Sequence, residues 1–339
     1  MLGAITGDVV GSVYEWNNIK HKVFNPLFDP SAFFTDDSVL TVALMDAIDR
    51  GVDYGKTMRW YYTQHPTAGY GHLFHHWCKY ETKLPYNSWG NGSAMRTSAV
   101  GYAYDSIEEV LEKAKYFASF THNHPEGIKG AQATSACIFM ARKGATKEAI
   151  RTYITNKFGY DLNHTVDDIR PTYVFNESCQ GTVPEAIVAF LDSTDFEDAI
   201  RCAISLGGDS DTLTCITGGI AEAFYGDIPY EIAIQAMHRL TPQMRDVVYK
   251  FYDKYRPSET IILAHKMASQ FVSVNPIEKD DEFQEKQKVC WTMVVKDEAV
   301  KAASKDVDEL NWNQDACNST DNIKHKDTIS KKIQELFKL

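Results

Sequence analysis

Asp36-Asp37-Ser38-Val39-Leu40-Thr41-Val42-Ala43-Leu44-Met45-Asp46-Ala47-Ile48-Asp49-Arg50 is the stretch that decides the fold. Its apolar residues Val39, Leu40, Ala43, Ala47 and Ile48 recur at three- and four-residue steps, which puts them on one face of a helix. The same spacing returns over roughly 107–120, 127–143, 183–191, 195–205, 212–225 and 240–254. Gly and Asn punctuate the joints, and Pro125, Pro184, Pro229 and Pro242 stand where helices should begin. Alternating, strand-like stretches are few and short. The pattern predicts an all-α, compact domain over residues 1–270.

Residues 271–339 read as a polar C-terminal extension. Segment 276–326 is rich in Lys, Asp, Glu and Asn around an isolated apolar cluster at 289–295. Residues 327–339 place Ile329, Ile333, Leu336 and Phe337 on one side of an expected terminal helix.

Of the 339 residues, 46 are acidic and 35 basic, a formal net charge of -11. Such a balance repels a long phosphate backbone, so a nucleic-acid partner is not expected. A small anionic ligand is still compatible, because a metal or local dipoles outweigh the mean field. The seven cysteines are Cys78, Cys137, Cys179, Cys202, Cys215, Cys290 and Cys317; they are widely spaced and contain no C-x-x-C pair. That is neither a disulfide framework nor a zinc-finger pattern, and it points to a reducing compartment. The opening segment has neither a basic region nor an unbroken apolar stretch, and no apolar run is long enough to span a bilayer. A cytoplasmic protein without membrane partners is expected, and a monomer.

Two Asp-rich boxes carry the chemistry. Phe34-Thr35-Asp36-Asp37-Ser38 stands directly ahead of the helix quoted above. A cap would explain one oxygen-bearing residue at a helix start; Thr35, Asp36 and Asp37 offer three hard ligands in succession. Gly207-Gly208-Asp209-Ser210-Asp211-Thr212 leads into a second helical run, and its glycine pair lets the backbone turn tightly. Together the boxes supply Thr35, Asp36, Asp37, Asp209, Asp211 and Thr212. Four carboxylates with no thiolate or imidazole among them suit two Mg²⁺ ions, with Mn²⁺ as a substitute, rather than Zn²⁺. Without a cation, converging carboxylates repel and some are forced to protonate.

Three further motifs accompany them. In Gly3-x3-Gly7-Asp8-x2-Gly11-x3-Glu15 the glycines suit a close helix crossing, and Glu15 alone would pass for a surface residue. Trp89-Gly90-Asn91-Gly92-Ser93-Ala94-Met95-Arg96 is a turn whose backbone N–H groups also suit phosphate or ribose oxygens. Thr121-His122-Asn123-His124-Pro125, like the triplet His72, His75 and His76, raises a zinc reading, although most such histidines are surface or core residues. A haloacid dehalogenase phosphatase would explain Asp209-Ser210-Asp211, but Leu213 stands where that motif expects Thr or Val, and a parallel sheet is not predicted. A polyprenyl synthase needs Asp-Asp-x-x-Asp, which Leu40 breaks.

In their order along residues 1–250, these five boxes resemble the ADP-ribosylglycohydrolases. That family includes dinitrogenase reductase-activating glycohydrolases and hydrolases of ADP-ribosyl-arginine and -serine. The resemblance implies an orthogonal all-α bundle and a two-magnesium centre held by Thr35, Asp36, Asp37, Asp209, Asp211 and Thr212. It implies a catalytic role for Glu15, with Asp36 and Asp211 at the same centre, and ADP-ribose contacts from Asn91, Gly92, Ser93 and His122. The reaction implied is hydrolysis of the glycosidic bond from ADP-ribose to a protein or small-molecule acceptor, in N- or O-glycosyl linkage. The alternative is an inactive homologue that binds ADP-ribose or serves a structural role, against which all six ligand positions and Glu15 are retained. Ser38 and Ser210 stand where many relatives carry Thr. The short loop from Glu15 to Thr35, with Asn17, Asn18, Lys20 and Lys22, lies on the acceptor side in relatives, so acceptor choice does not carry over.

Overall fold

Local caps fix where the helices start, and one close crossing fixes how they assemble. In the computed structural model, which describes residues 1–82 and 84–269, the helices are α1 (Leu2–Gly11), α2 (Asp36–Arg50), α3 (Tyr54–Gln64), α4 (His72–Lys79), α5 (Gly92–Met95), α6 (Ser98–Ala103), α7 (Ile107–Ala118) and α8 (Pro125–Arg142). They continue with α9 (Lys147–Phe158), α10 (Val166–Ile169), α11 (Cys179–Asp192), α12 (Phe196–Leu206), α13 (Ser210–Tyr225), α14 (Tyr230–His238), α15 (Pro242–Tyr255) and α16 (Glu259–Ala268). Among the described residues the only extended pairing is an isolated antiparallel bridge between Gly90 and Ser178. The all-α expectation holds. The extension 271–339, with its expected helix at 327–339 and Cys290 and Cys317, lies outside the described residues.

Helix α13 is the central element, packed against α1, α8, α11 and α12. Its partner α1 is buried along its whole length, from Leu2 to Gly11. The two run antiparallel and touch backbone to backbone. A Cβ on Gly3 would fall 2.3 Å from Gly218 O, one on Gly7 2.1 Å from Thr214 O, and one on Gly11 2.5 Å from Asp211 Cα. The glycine stripe is therefore a contact surface that admits no side chain. It brings the Asp8 turn of α1 to the start of α13.

Helix α2 departs from the one-face reading: Val42, Leu44 and Met45 are buried along with Val39, Leu40, Ala43 and Ala47. Among the described residues α1, α3, α13 and α15 pack around it, so a helix read as amphipathic lies inside. Pro125 and Pro242 occupy the first helical position of α8 and α15, and Pro229 precedes α14. Pro184 is different, because it sits inside α11, which starts at Cys179. Ser178 caps that start by accepting from Gly181 N, so the polar first turn that reads as loop is helical. Pro184 then costs one internal hydrogen bond.

Candidate metal centre and substrate loop

Thr35 caps α2, accepting from Asp37 N at 3.3 Å, and Asp36 N is bonded to Ala68 O. The cap reading and the ligand reading are thus both compatible with this box, since capping occupies Thr35 and leaves both carboxylates free. Asp209 precedes α13 but makes no capping bond with its side chain; instead its Oδ2 accepts from Asn91 Nδ2 at 2.7 Å. The preceding Gly207 and Gly208 both have positive φ, 68° and 75°, which turns the chain into α13.

The two boxes meet. Thr212 Oγ1 donates to Asp37 Oδ2 at 3.2 Å across 175 positions of sequence. Oxygens of Asp8, Asp37 and Asp211 lie within 4.8 Å of one another, and so do oxygens of Glu15, Asp209 and Asp211. Asp211 belongs to both groups. Asp36 is half-buried and stands outside both triplets. Its coupling to the centre is electrostatic: burial, then the charge of Asp8, push its carboxyl up to about 8, against the pull of Arg96.

Asp8 belongs to the glycine motif of α1, whose spacing gives it no role of its own. Its carboxylate accepts from Thr35 N at 2.9 Å, Thr35 Oγ1 at 2.6 Å, Ser38 N at 3.0 Å and the Ser38 hydroxyl. It therefore braces the whole Thr-Asp-Asp-Ser box. The signal was present: a carboxylate in a helix otherwise made of glycine, Thr and apolar residues has no solvated face, so it must be matched inside.

Every shifted acid of this centre is shifted upward. Burial lifts Asp8 to about 6, opposed by its bonds from Ser38 and Thr35. Glu15 rises to about 7, from burial first and the charge of Asp209 next, opposed by a hydrogen bond from Trp16. Asp37 and Asp211 rise well above the usual carboxylate range, from burial and then from their acidic neighbours. Asp37 Oδ1 is buried with no hydrogen-bond partner. An anionic cluster with an unpartnered oxygen and, among the described residues, no cationic side chain in ion-pair contact fits hard divalent cations, which would reverse these shifts.

Glu15 lies in the turn after α1, half-buried. Two side chains read as acceptor-side groups hold that turn in place. Asn18 clasps Gly208, donating to its carbonyl at 3.0 Å and accepting from its N–H at 2.7 Å. Lys20 Nζ bonds Leu206 O and Tyr173 O. Next to Glu15, Trp16 is 76% exposed and stacks on Phe175 with ring centroids 5.4 Å apart.

The Gly-Asn-Gly-Ser segment is tied to the start of α11 by Asn91 N to Glu177 O and Cys179 N to Trp89 O. Asn91 is buried and reaches both Asp209 and Thr182 Oγ1. The Ser93 hydroxyl points inward and donates to Gly127 O at 2.7 Å. That leaves the backbone of the loop, rather than this hydroxyl, for a ligand. His122 is buried, with Nδ1 3.0 Å from Arg96 Nη2. The other histidines go elsewhere: His72, His75 and His76 are exposed, and His124 caps α8. Among the described residues no histidine joins either carboxylate cluster.

An all-α fold around a centre of this composition agrees with the comparisons. The ADP-ribosylglycohydrolase family model matches residues 1–260. The chain belongs to the ADP-ribosylglycohydrolase family, and family and relatives indicate an ADP-ribosyl hydrolase. It is similar to ADP-ribosylhydrolase ARH3 of Mus musculus, at 26% identity over 67% of this chain and 82% of the relative. It is also similar to ADP-ribosylarginine hydrolase Tri1 of Pseudomonas putida (strain GB-1), at 26% identity over 67% of this chain and 69% of that one. A solved ADP-ribosylglycohydrolase-related protein complex shares the fold, with a TM-score of 0.54 at 23% identity over 79% of this chain and 97% of the other. No helix among the described residues is long and apolar enough to cross a membrane.

Proposed function

We propose that the protein hydrolyses the glycosidic bond between the distal ribose of ADP-ribose and an acceptor, using two Mg²⁺ ions. The convergence of Asp8, Glu15, Asp37, Asp209 and Asp211 on one buried centre carries this reading. Thr35, Asp36, Asp37, Asp209, Asp211 and Thr212 would hold the metal, with Mn²⁺ as a substitute. When bound, the metal would supply charge for the ribose diol and lower the pKa of a water.

The chain's own groups do the rest. Cleavage passes through an oxocarbenium-like state, so a water must lose a proton and the acceptor must gain one. Glu15, half-buried and close to Asp209 and Asp211, is suited by position to handle one of these protons. Asp8 acts as a brace that sets the Thr35–Ser38 backbone. Asn91 holds Asp209 in register with the substrate loop, whose Gly92 and Ser93 N–H groups receive the diphosphate, with His122 beneath them.

The acceptor is a modified protein or small molecule, and the net charge of -11 disfavours a nucleic acid. Five buried free thiols among the described residues, Cys78, Cys137, Cys179, Cys202 and Cys215, fit a reducing cytoplasm. The test is a panel of defined ADP-ribosyl linkages, to arginine, serine, a nucleic-acid end and small molecules, each with Mg²⁺ and with chelator. Metal-dependent release of ADP-ribose from at least one linkage is expected; binding of ADP-ribose without turnover of any linkage would contradict the reading.

A further inference from the structure

Arg96 closes the Gly-Asn-Gly-Ser-x-Met-Arg box, and the chemistry above gives it no task. It is 2% exposed. Among the described residues it forms no ion pair, and its Nε has no partner. A guanidinium is always charged and is rarely buried without a carboxylate. Its contacts are instead Met58 Sδ at 3.3 Å, Thr121 Oγ1 at 3.3 Å and His122 Nδ1 at 3.0 Å.

The last contact fixes chemistry as well as position. A guanidinium carries only donors, so Nδ1 of His122 must present its lone pair. A neutral imidazole then has its proton on Nε2. That atom lies directly under the substrate loop: a Cβ on Gly92 would fall 3.3 Å from it, and one on Gly90 3.7 Å. We infer that Arg96 is a positioning residue that locks His122 as a neutral Nε2–H donor aimed at oxygens of the ligand held by the Gly90–Ser93 loop. The inference rests on the proposed binding of ADP-ribose at that loop.

The surroundings agree. Burial, and then the Arg96 charge, hold the imidazole well below its usual range, so it stays neutral. The other groups in the field of Arg96 are Asp36, Tyr54, Cys78, Tyr86 and Cys179. Burial pushes the Tyr54 and Tyr86 hydroxyls and the Cys78 and Cys179 thiols up to about 12, so none of these four titrates near neutral pH. Tyr86 faces the imidazole with ring centroids 5.8 Å apart. Without Arg96, Nδ1 still faces Thr121 Oγ1 at 2.8 Å, a hydroxyl that accepts as readily as it donates, so the proton is free to move to Nδ1 and Nε2 becomes a lone pair that repels substrate oxygens. Acidification then restores the Nε2 donor by forming imidazolium.

Nitrogen NMR of the full chain labelled with ¹⁵N-histidine tests this without any substrate. His122 is expected to show a bare Nδ1 and a protonated Nε2 from about pH 6 to 8, in the wild type and in Arg96→Lys. A proton on Nδ1, or imidazolium near pH 7, overturns the inference and needs no variant to fold. In Arg96→Met the KM for an ADP-ribosylated substrate should rise about tenfold at the alkaline end, the effect of losing one strong hydrogen bond. It should recover on acidification while kcat changes little. A KM that rises equally at every pH would mean a purely structural role and also overturns it. If the tautomer is as stated but free ADP-ribose leaves the His122 signals unmoved, the substrate reading of the loop fails instead.

Discussion

Helices α1 and α13 bury carboxylates at both ends of their crossing, and the two ends are solved in opposite ways. At the Gly3–Gly218 end, Glu222 accepts from Gly3 N at 2.8 Å, Arg256 Nη1 at 2.7 Å, the Tyr252 hydroxyl and the Met1 amine. Burial pushes this carboxyl up, but the amine and Arg256 outweigh it, and the net shift is downward. At the Gly11–Asp211 end the described residues supply backbone and hydroxyl donors but no cation in ion-pair contact, and the acids are shifted up. A buried acid neutralised from within is a structural element. A cluster of buried acids left without a counter-charge has meaning only if something from outside completes it.

The sharpest break comes from removing one acid at each end. Asp211→Ala takes a carboxylate from both triplets, so turnover should fall by about 10³-fold or more while helical circular dichroism is retained. Retention of most activity would remove the metal role. Glu222→Ala should do the reverse. It leaves the buried Met1 amine without its carboxylate and Arg256 with Asp227 at 3.4 Å in its place, which costs about 3–5 kcal/mol, read as a lower midpoint in urea, and the protein still folded should keep its activity per molecule.

The crossing itself is the next target. Gly11→Ala drives a Cβ against the backbone at Asp211 and should cost about 1–3 kcal/mol. It should also weaken metal binding, whereas overpacking the far end with Gly3→Ala should reduce stability alone. Titration of metal into each variant separates the two. Glu15→Gln should keep its metal and lose about 10²–10⁴-fold in kcat, the usual worth of one positioned acid or base; near-normal turnover would remove Glu15 from the reaction.

The smallest effect is a pH dependence of stability. The folded-state values of about 6, 7 and 8 for Asp8, Glu15 and Asp36 all exceed those of the unfolded chain, so the folded state binds more protons between roughly pH 4 and 8. The metal-free protein should therefore lose stability as pH rises through this window, and regain it as pH falls. Mg²⁺ should raise Tm more at pH 8 than at pH 5.5, and a Tm increment independent of pH would break the link between the carboxylates and the ion.

Much of this was written locally. Caps and apolar spacing mark α7, α12 and α15 to within about two residues, because both signals lie within one or two turns of chain. The two Asp boxes stand out because a cap needs one oxygen and each box offers more. What stayed hidden depends on partners far away in sequence. The period of α2 gives no hint that it is surrounded, and the polar first turn of α11 hides that Pro184 falls inside a helix. Asp8 reads as a member of a glycine motif until the crossing sets it against Thr35 and Ser38. Asn18 and Lys20 read as members of an acceptor-side loop, with nothing local to show that they hold Gly208 and Leu206. Ser93 looked like a ligand contact, yet its hydroxyl faces Gly127.

Equilibrium binding of Mn²⁺ to the wild type and to Asp211→Ala tests the central claim most directly. Two ions per chain in the wild type, with loss of binding in the variant and displacement by Mg²⁺, are predicted. A wild-type chain that takes up no divalent ion at millimolar concentration, or a variant that binds as the wild type does, would contradict it.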